Sequence, residues 1–216
     1  ATADAVMMVV ADGMGGHLQG EVAAQIAVDT FCERFSSEAR TLLPDPARFL
    51  SVTLNQVHHT IVRYTAARGI PAHAAPRTTC IACVVQNGQA TWAHAGDSRL
   101  YLIHRGGDAS GGVVHTRDHS VVQRMVDDGI IDRTDAASHP LRNRVFSCLG
   151  GDELPHVEVS PAVALADGDL IALCTDGAWA PLGESLVSEL RRALPGAGVP
   201  ARSEERRVGK ECSLPC

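Results

Sequence analysis

Apolar positions along this chain recur first at helical spacing and then at strand spacing. Val6–Ala11 is a short apolar run that stops at Asp12-Gly13-Met14-Gly15-Gly16, which predicts a buried strand feeding a tight glycine turn. Val22, Ala23, Ile26, Ala27, Phe31 and Phe35 then repeat on one helical face and predict an amphipathic helix over about Glu21–Phe35. Pro44-Asp45-Pro46 opens a second helix. Asp45 suits the N-cap, Pro46 suits the first helical position, and Leu50, Leu54, Val57, Ile61 and Tyr64 form the apolar stripe up to Gly69. From there the pattern changes. Thr78–Gln86 and Gln89–Ala95 are β-rich runs joined by Asn87-Gly88, a hairpin signal. Arg99–His104 and Val113–Thr116 follow as strands. A short helix after Asp118, read as its cap, carries Val121, Val122, Met125 and Val126 on one face and ends at Gly129. Residues 130–145 are polar and irregular. Leu170–Cys174 reads as a buried strand stopping at Thr175-Asp176-Gly177, and Gly183–Leu194 as a last helix. Helices followed by consecutive antiparallel strands indicate an α+β protein rather than a βαβ one. Two packed sheets with outer helices, or one sheet covered on one face, both satisfy this pattern.

Composition narrows the class. The chain has 216 residues, 45% hydrophobic and 20% charged, enough for one domain with a substantial core. Its formal net charge of −6 gives no attraction to nucleic acid or to an anionic membrane. No apolar run reaches the roughly 18 residues that span a bilayer, and no signal peptide opens the chain, so a cytoplasmic location is expected. The seven cysteines are odd in number and scattered. Cys32, Cys148 and Cys174 read as small hydrophobes, and the Cys80/Cys83 pair lacks the second pair that a structural zinc site needs. A reducing compartment disfavours disulfides.

The candidate chemistry lies in three aspartates with one shared context. Asp12, Asp97 and Asp176 each follow an apolar run, and each has a glycine beside it: Gly13, Gly96 and Gly177. Carboxylates converging at strand ends form a hard-oxygen site suited to Mg²⁺ or Mn²⁺. A single Asp-Gly is common in loops and means nothing alone. Three such junctions are worth weighing together.

Val9-Val10-Ala11-Asp12-Gly13-Met14-Gly15-Gly16-His17, with Gly20-Glu21-Val22-Ala23 behind it, resembles the signature of the PPM (protein phosphatase 2C-like) family, bacterial branch. Further matches keep the family's order: Ala93-His94-Ala95-Gly96-Asp97-Ser98-Arg99-Leu100-Tyr101, Thr116-Arg117-Asp118-His119-Ser120 with Gln123 and Gly129, His139-Pro140, Arg142-Asn143, Leu149-Gly150, Asp167-Gly168-Asp169, and Cys174-Thr175-Asp176-Gly177. The resemblance implies an αββα sandwich and hydrolysis of phosphoserine and phosphothreonine in proteins by a metal-activated water. It implies two Mg²⁺ or Mn²⁺ ions with a weaker third. Asp12 resembles the carboxylate that bridges the pair, the Gly13 carbonyl a ligand of the second ion, and Asp176 a ligand of the first. Asp97 resembles the carboxylate that, with Asp176, holds the third. The catalytic set is thus Asp12 and Asp176. Phosphorylated proteins, and by analogy a cognate Ser/Thr kinase, are the implied partners, and a monomer is expected. The same fold without turnover, a phosphoprotein-binding module, is the alternative.

The chain also departs from the family pattern. Met14 stands where animal members carry a histidine, a candidate general acid. His17 is nearby but more ordinarily a surface or packing residue. Arg77-Thr78-Thr79 replaces the usual Gly-Thr-Thr. The upstream strand with a phosphate-binding arginine and a metal-binding acid has no match in Ala1–Asp4, and no later Gly-x-Asp-Asn follows Asp176, so the chain by itself is expected to be weakly active. Arg202–Cys212 resembles the translation of a short-read sequencing adapter. Residues 1–201 are therefore expected to be the phosphatase domain and 202–216 a non-native tail.

Overall fold

The structure is a computed structural model. It describes residues 4–14, 17–39, 41–105, 112–183 and 185–193. The proposed tail at 202–216 and the His17 side chain lie outside the described residues.

The chain runs β1 (Ala5–Met14), α1 (His17–Glu38), α2 (Pro46–Ala67), β2 (Arg77–Gln86), β3 (Gln89–Ala95), β4 (Arg99–Ile103) and β5 (Val113–His115). It continues with α3 (Val121–Asp127), α4 (Arg133–Ala136), β6 (Glu158–Val159), β7 (Val163–Ala164), β8 (Leu170–Cys174), α5 (Asp176–Leu182) and α6 (Ser185–Ala193). These form an α+β fold of two antiparallel sheets flanked by helices. One sheet has the order β1-β2-β3-β6, with β7 also on β3, and the other has the order β5-β4-β8.

Alternation along β2 explains the layering. Cys80, Ala82 and Val84 face one way and pack with Ala93 and Ala95 against α1 and α2, through Ala23, Ala27, Phe31, Leu50, Leu54, Val57 and Ile61. Ile81 and Cys83 face the other way and meet Leu100 and Leu102 of the second sheet, with Trp92 between. Cys80 and Cys83 therefore belong to opposite cores and cannot share a metal ion. Burial pushes the Cys80 thiol up and the Cys83 thiol up to about 12, so both act as hydrophobes.

Local signals act as expected in two places. The Asp45 carboxylate accepts from the Arg48 N–H at 2.9 Å and caps α2. Asn87 (φ 52°) and Gly88 (φ 67°) both take the left-handed conformation that a two-residue hairpin turn demands.

Elsewhere the structure corrects the sequence reading. Helix α1 is longer at both ends than Glu21–Phe35. β1 does not stop at Asp12 but continues through Met14, because Asp12 and Gly13 pair with Thr79 and Thr78 of β2. Ser120, not Asp118, caps α3, accepting from the Gln123 N–H at 3.2 Å. Residues 176–182 form helix α5 rather than a turn, and the last helix, α6, begins at Ser185. β1 and β8, expected to be buried, are mostly half-buried, since each lies at the edge of its sheet among the described residues.

Candidate metal centre

Strand register brings the three sequence-predicted aspartates to one end of the sandwich. Asp12 pairs with Thr79, and the β2–β3 register pairs the next residue, Cys80, with Ala95. Asp12, Thr79 and Gly96 thus form a row across the first sheet, with Asp97 next in the chain. Residues 96–98 then carry the chain from β3 into the second sheet. There Arg99 pairs with Cys174. Asp97 and Asp176 each lie two residues beyond that last pair, at the same sheet end and close enough for their charges to interact. Strand pairing on either side of the aspartates thus closes sequence distances of 85 and 79 residues.

Two threonines hold this end. The Thr79 and Ser98 hydroxyls share a 2.8 Å hydrogen bond. The Thr78 hydroxyl lies 2.9 Å from the Asp12 carbonyl oxygen and 2.7 Å from the Thr79 carbonyl oxygen, and its one proton can serve only one at a time. Two glycines are sterically obligatory. A Cβ on Gly13 would lie 2.0 Å from the Gly20 carbonyl oxygen, where β1 runs against the first turns of α1. Gly96 has φ +114°, and a Cβ there would sit 2.6 Å from the Thr79 side chain.

The electrostatics are those of crowded carboxylates. Burial raises the Asp12 pKa, and the Asp176 carboxylate raises it further through charge repulsion and a shared hydrogen bond. Asp97, 9% exposed, is pushed up to about 6 by burial and then by the Asp118, Asp176 and Asp12 charges, against a backbone hydrogen bond that lowers it. Carboxylates held this close need a proton or a cation between them. The donors are oxygens only, which fits hard divalent ions such as Mg²⁺ or Mn²⁺.

Three further residues at this end escape sequence reading. Asp118 is nearly buried and forms a two-point ion pair with Arg99, Nε to Oδ1 at 2.7 Å and Nη2 to Oδ2 at 2.8 Å. The Arg99 guanidinium also donates a hydrogen bond to the Tyr101 hydroxyl at 3.1 Å and lies 3.5 Å above the Trp179 ring. The Trp179 indole N–H donates to the Asp97 carbonyl oxygen at 3.0 Å. Trp179 sits one helical turn after Asp176 on α5, so one side chain ties the two aspartate-bearing segments together. The available signal was the strand register: Arg99 begins β4, opposite the end of β8 that leads into α5.

The polar region after α3, read from sequence as irregular, contains the short helix α4 and is tied at its far end to the residues around the start of α3. The Val121 N–H donates to the Arg144 carbonyl at 2.8 Å and the Phe146 N–H to the His119 carbonyl at 2.9 Å. Just before these contacts Arg142 and Asn143 are exposed.

This architecture is shared with solved bacterial serine/threonine phosphatases. The Mycobacterium tuberculosis serine/threonine phosphatase PstP/Ppp superposes with a TM-score of 0.73 at 28% identity, covering 85% of this chain and 73% of that one. The catalytic domain of PstP in complex with two manganese ions superposes at 0.68 and 27% identity, covering 85% and 72%. A family profile for protein phosphatase 2C matches residues 1–198, and the chain belongs to that family. Among curated relatives, the serine/threonine phosphatase stp of Listeria innocua is 30% identical over 188 residues, 87% of this chain and 72% of the relative. No helix among the described residues is long and apolar enough to cross a membrane.

Proposed function

We propose that this domain hydrolyses phosphoserine and phosphothreonine in proteins at a Mg²⁺ or Mn²⁺ centre held by Asp12, the Gly13 carbonyl and Asp176, with Asp97 and Asp176 holding a weaker third ion. The observation that carries this reading is the convergence of Asp12, Asp97 and Asp176 at one sheet end, with carboxyl groups that repel one another when no cation lies between them. Two such ions, when bound, neutralise the phosphate charge and lower the pKa of a water to supply the attacking oxygen. The manganese-bound PstP relative supports the choice of metal.

The chain's own residues then have distinct tasks. Asp12 and Asp176 would hold the metal ions. Thr78 steadies the Asp12 backbone, and Trp179 steadies that of Asp97. Met14 has no proton to give, so the leaving serine or threonine oxygen takes its proton from water or another group. Arg142 and Asn143 lie on the exposed segment that leads into the contacts with His119 and Val121 and are suited to touch the protein around the phosphate. A phosphoprotein is the substrate, and a kinase that makes it is the implied counterpart.

Phosphate release from a phosphothreonine peptide tests the reading. Mn²⁺ should switch it on and chelator should abolish it. Asp176→Asn should lose it while keeping the fold, and Asp97→Ala should lose most turnover while keeping the tight pair. Near-normal turnover in Asp176→Asn, or activity in excess chelator, refutes the assignment.

A further inference from the structure

A second group of ligating side chains stands apart from the aspartates. His94 on β3 faces Glu158 of β6 as its direct cross-strand partner. The His119 ring stacks on the His94 ring, with centroids 4.3 Å apart and planes 23° apart. Both rings are buried, at 1% and 3% exposure. The His94 Nε2–H donates to the Arg117 carbonyl at 2.9 Å, which leaves Nδ1 as a buried lone pair without a protein partner. The His119 Nδ1 accepts from the Gly96 N–H at 3.2 Å, and its Nε2 is likewise buried and unpartnered. Glu158 Oε2 lies 3.6 Å from that Nε2. One donor atom from each of the three residues falls within 4.8 Å of the others. Two orphaned ring nitrogens aimed at one carboxylate are costly to bury unless something completes them.

We propose that His94 Nδ1, His119 Nε2 and the Glu158 carboxylate form a site for a borderline-soft divalent cation of the Zn²⁺ class, separate from the aspartate centre. The donor set decides the class: two imidazoles and one carboxylate favour Zn²⁺ or Co²⁺, whereas Mg²⁺ and Mn²⁺ prefer oxygen. The hydrogen bond from the far nitrogen of His94 to a backbone carbonyl is the outer contact that orients metal-binding histidines. The 3.6 Å His119–Glu158 separation is close to the edge of a tetrahedron built on bonds of about 2.0–2.1 Å, and half-exposed Glu158 can close the difference. Burial holds both rings neutral: it lowers His94, and with His94 and His156 nearby it brings His119 down to about 3.

The proton balance couples this site to its neighbour. With Nδ1 accepting from Gly96, the neutral His119 ring carries its proton on Nε2. A cation displaces that proton, which returns to the ring at Nδ1, and the Gly96 N–H contact opens. The His119 backbone N–H still donates to the Gly96 carbonyl at 3.0 Å. Occupancy therefore loosens one of two ties on the turn that leads into Asp97. The competing occupant is a water, which would accept from Nε2–H and donate to His94 Nδ1 and Glu158.

Co²⁺ titration of the full chain carrying Asp12→Asn and Asp176→Asn separates these outcomes, because the oxygen centre is then disabled whether or not it is catalytic. One equivalent of Co²⁺ should bind with the visible ligand-field absorption of a four- or five-coordinate nitrogen-ligated ion. Zn²⁺ should displace it and Mg²⁺ should not. Adding Glu158→Gln, at an exposed position that leaves the fold alone, should weaken binding by about tenfold or more. Adding His94→Asn, with folding verified by circular dichroism, should abolish the band. No band in the folded protein, or a band indifferent to Glu158→Gln, overturns the proposal and leaves a water as the partner of these ring nitrogens.

Discussion

Replacing Arg99 by Met isolates the contacts that hold the end of the sandwich together. Asp118 keeps 7% of its side chain exposed and Arg99 22%, so removing the guanidinium leaves a nearly buried carboxylate without its partner. Breaking a buried pair from one side costs about 3–5 kcal/mol, and the partial exposure of Arg99 brings the expectation down to about 2–4 kcal/mol. Methionine retains some contact with the Trp179 ring, so the lost stacking adds less than about 1 kcal/mol. For a domain of this size that corresponds to a melting temperature lower by roughly 5–15 °C. Urea unfolding followed by circular dichroism measures it. The double variant Arg99→Met/Asp118→Asn removes the stranded charge and should be more stable than the sum of the two single losses predicts. A single-variant cost below about 1 kcal/mol with no coupling in the cycle would mean that the pair is effectively solvated, and the argument from burial would fail.

Gly96→Ala should cost about 3 kcal/mol or more, because φ +114° and a 2.6 Å clash with Thr79 act together. Equilibrium unfolding reads the loss, and a change under about 1 kcal/mol would show that the turn can rearrange. His119 is held neutral in the fold, at about 3 against an ordinary 6.5, so the unfolded chain binds the extra proton between these values. Its contribution is present above pH 6.5 and is lost as pH falls, at about 1.4 kcal/mol per pH unit. The stability gap between wild type and His119→Gln, measured in chelator, should therefore narrow from pH 7 to pH 4. The raised Asp97 acts in the opposite sense but is common to both proteins and cancels in that difference. A pH-independent gap would contradict the buried neutral ring. Arg142→Ala and Asn143→Ala should reduce phosphoprotein hydrolysis more than aryl-phosphate hydrolysis, and equal effects would make their segment purely structural.

Short-range chemistry was legible in the sequence. Asp45 before Pro46 marks the start of α2, and Asn87-Gly88 marks the hairpin, since each acts through residues within a few positions. The aspartates were found by their strand contexts and by their likeness to a family. What the sequence hid depends on distant partners. Asp12 looks like a turn residue, yet Thr78 and Thr79, more than sixty positions on, extend β1 through it. Asp176-Gly177 also looks like a turn, with glycine a poor helix former and Pro181 a breaker, yet α5 forms there. Thr175 takes the cap position and Trp179 is fixed by Arg99 and the Asp97 carbonyl. Asp118 seemed a helix cap because it precedes a helix. Its partner, Arg99, stands 19 residues back on a strand. His94 and His119 meet only because β3, β6 and the segment before α3 converge.

Mn²⁺ binding followed by calorimetry in wild type and in Asp12→Asn addresses the metal centre most directly. If Asp12 joins two ions, wild type should bind a manganese pair and Asp12→Asn should lose both together, with the fold unchanged by circular dichroism. Retention of the manganese pair by folded Asp12→Asn would contradict the assignment of that carboxylate as the bridge.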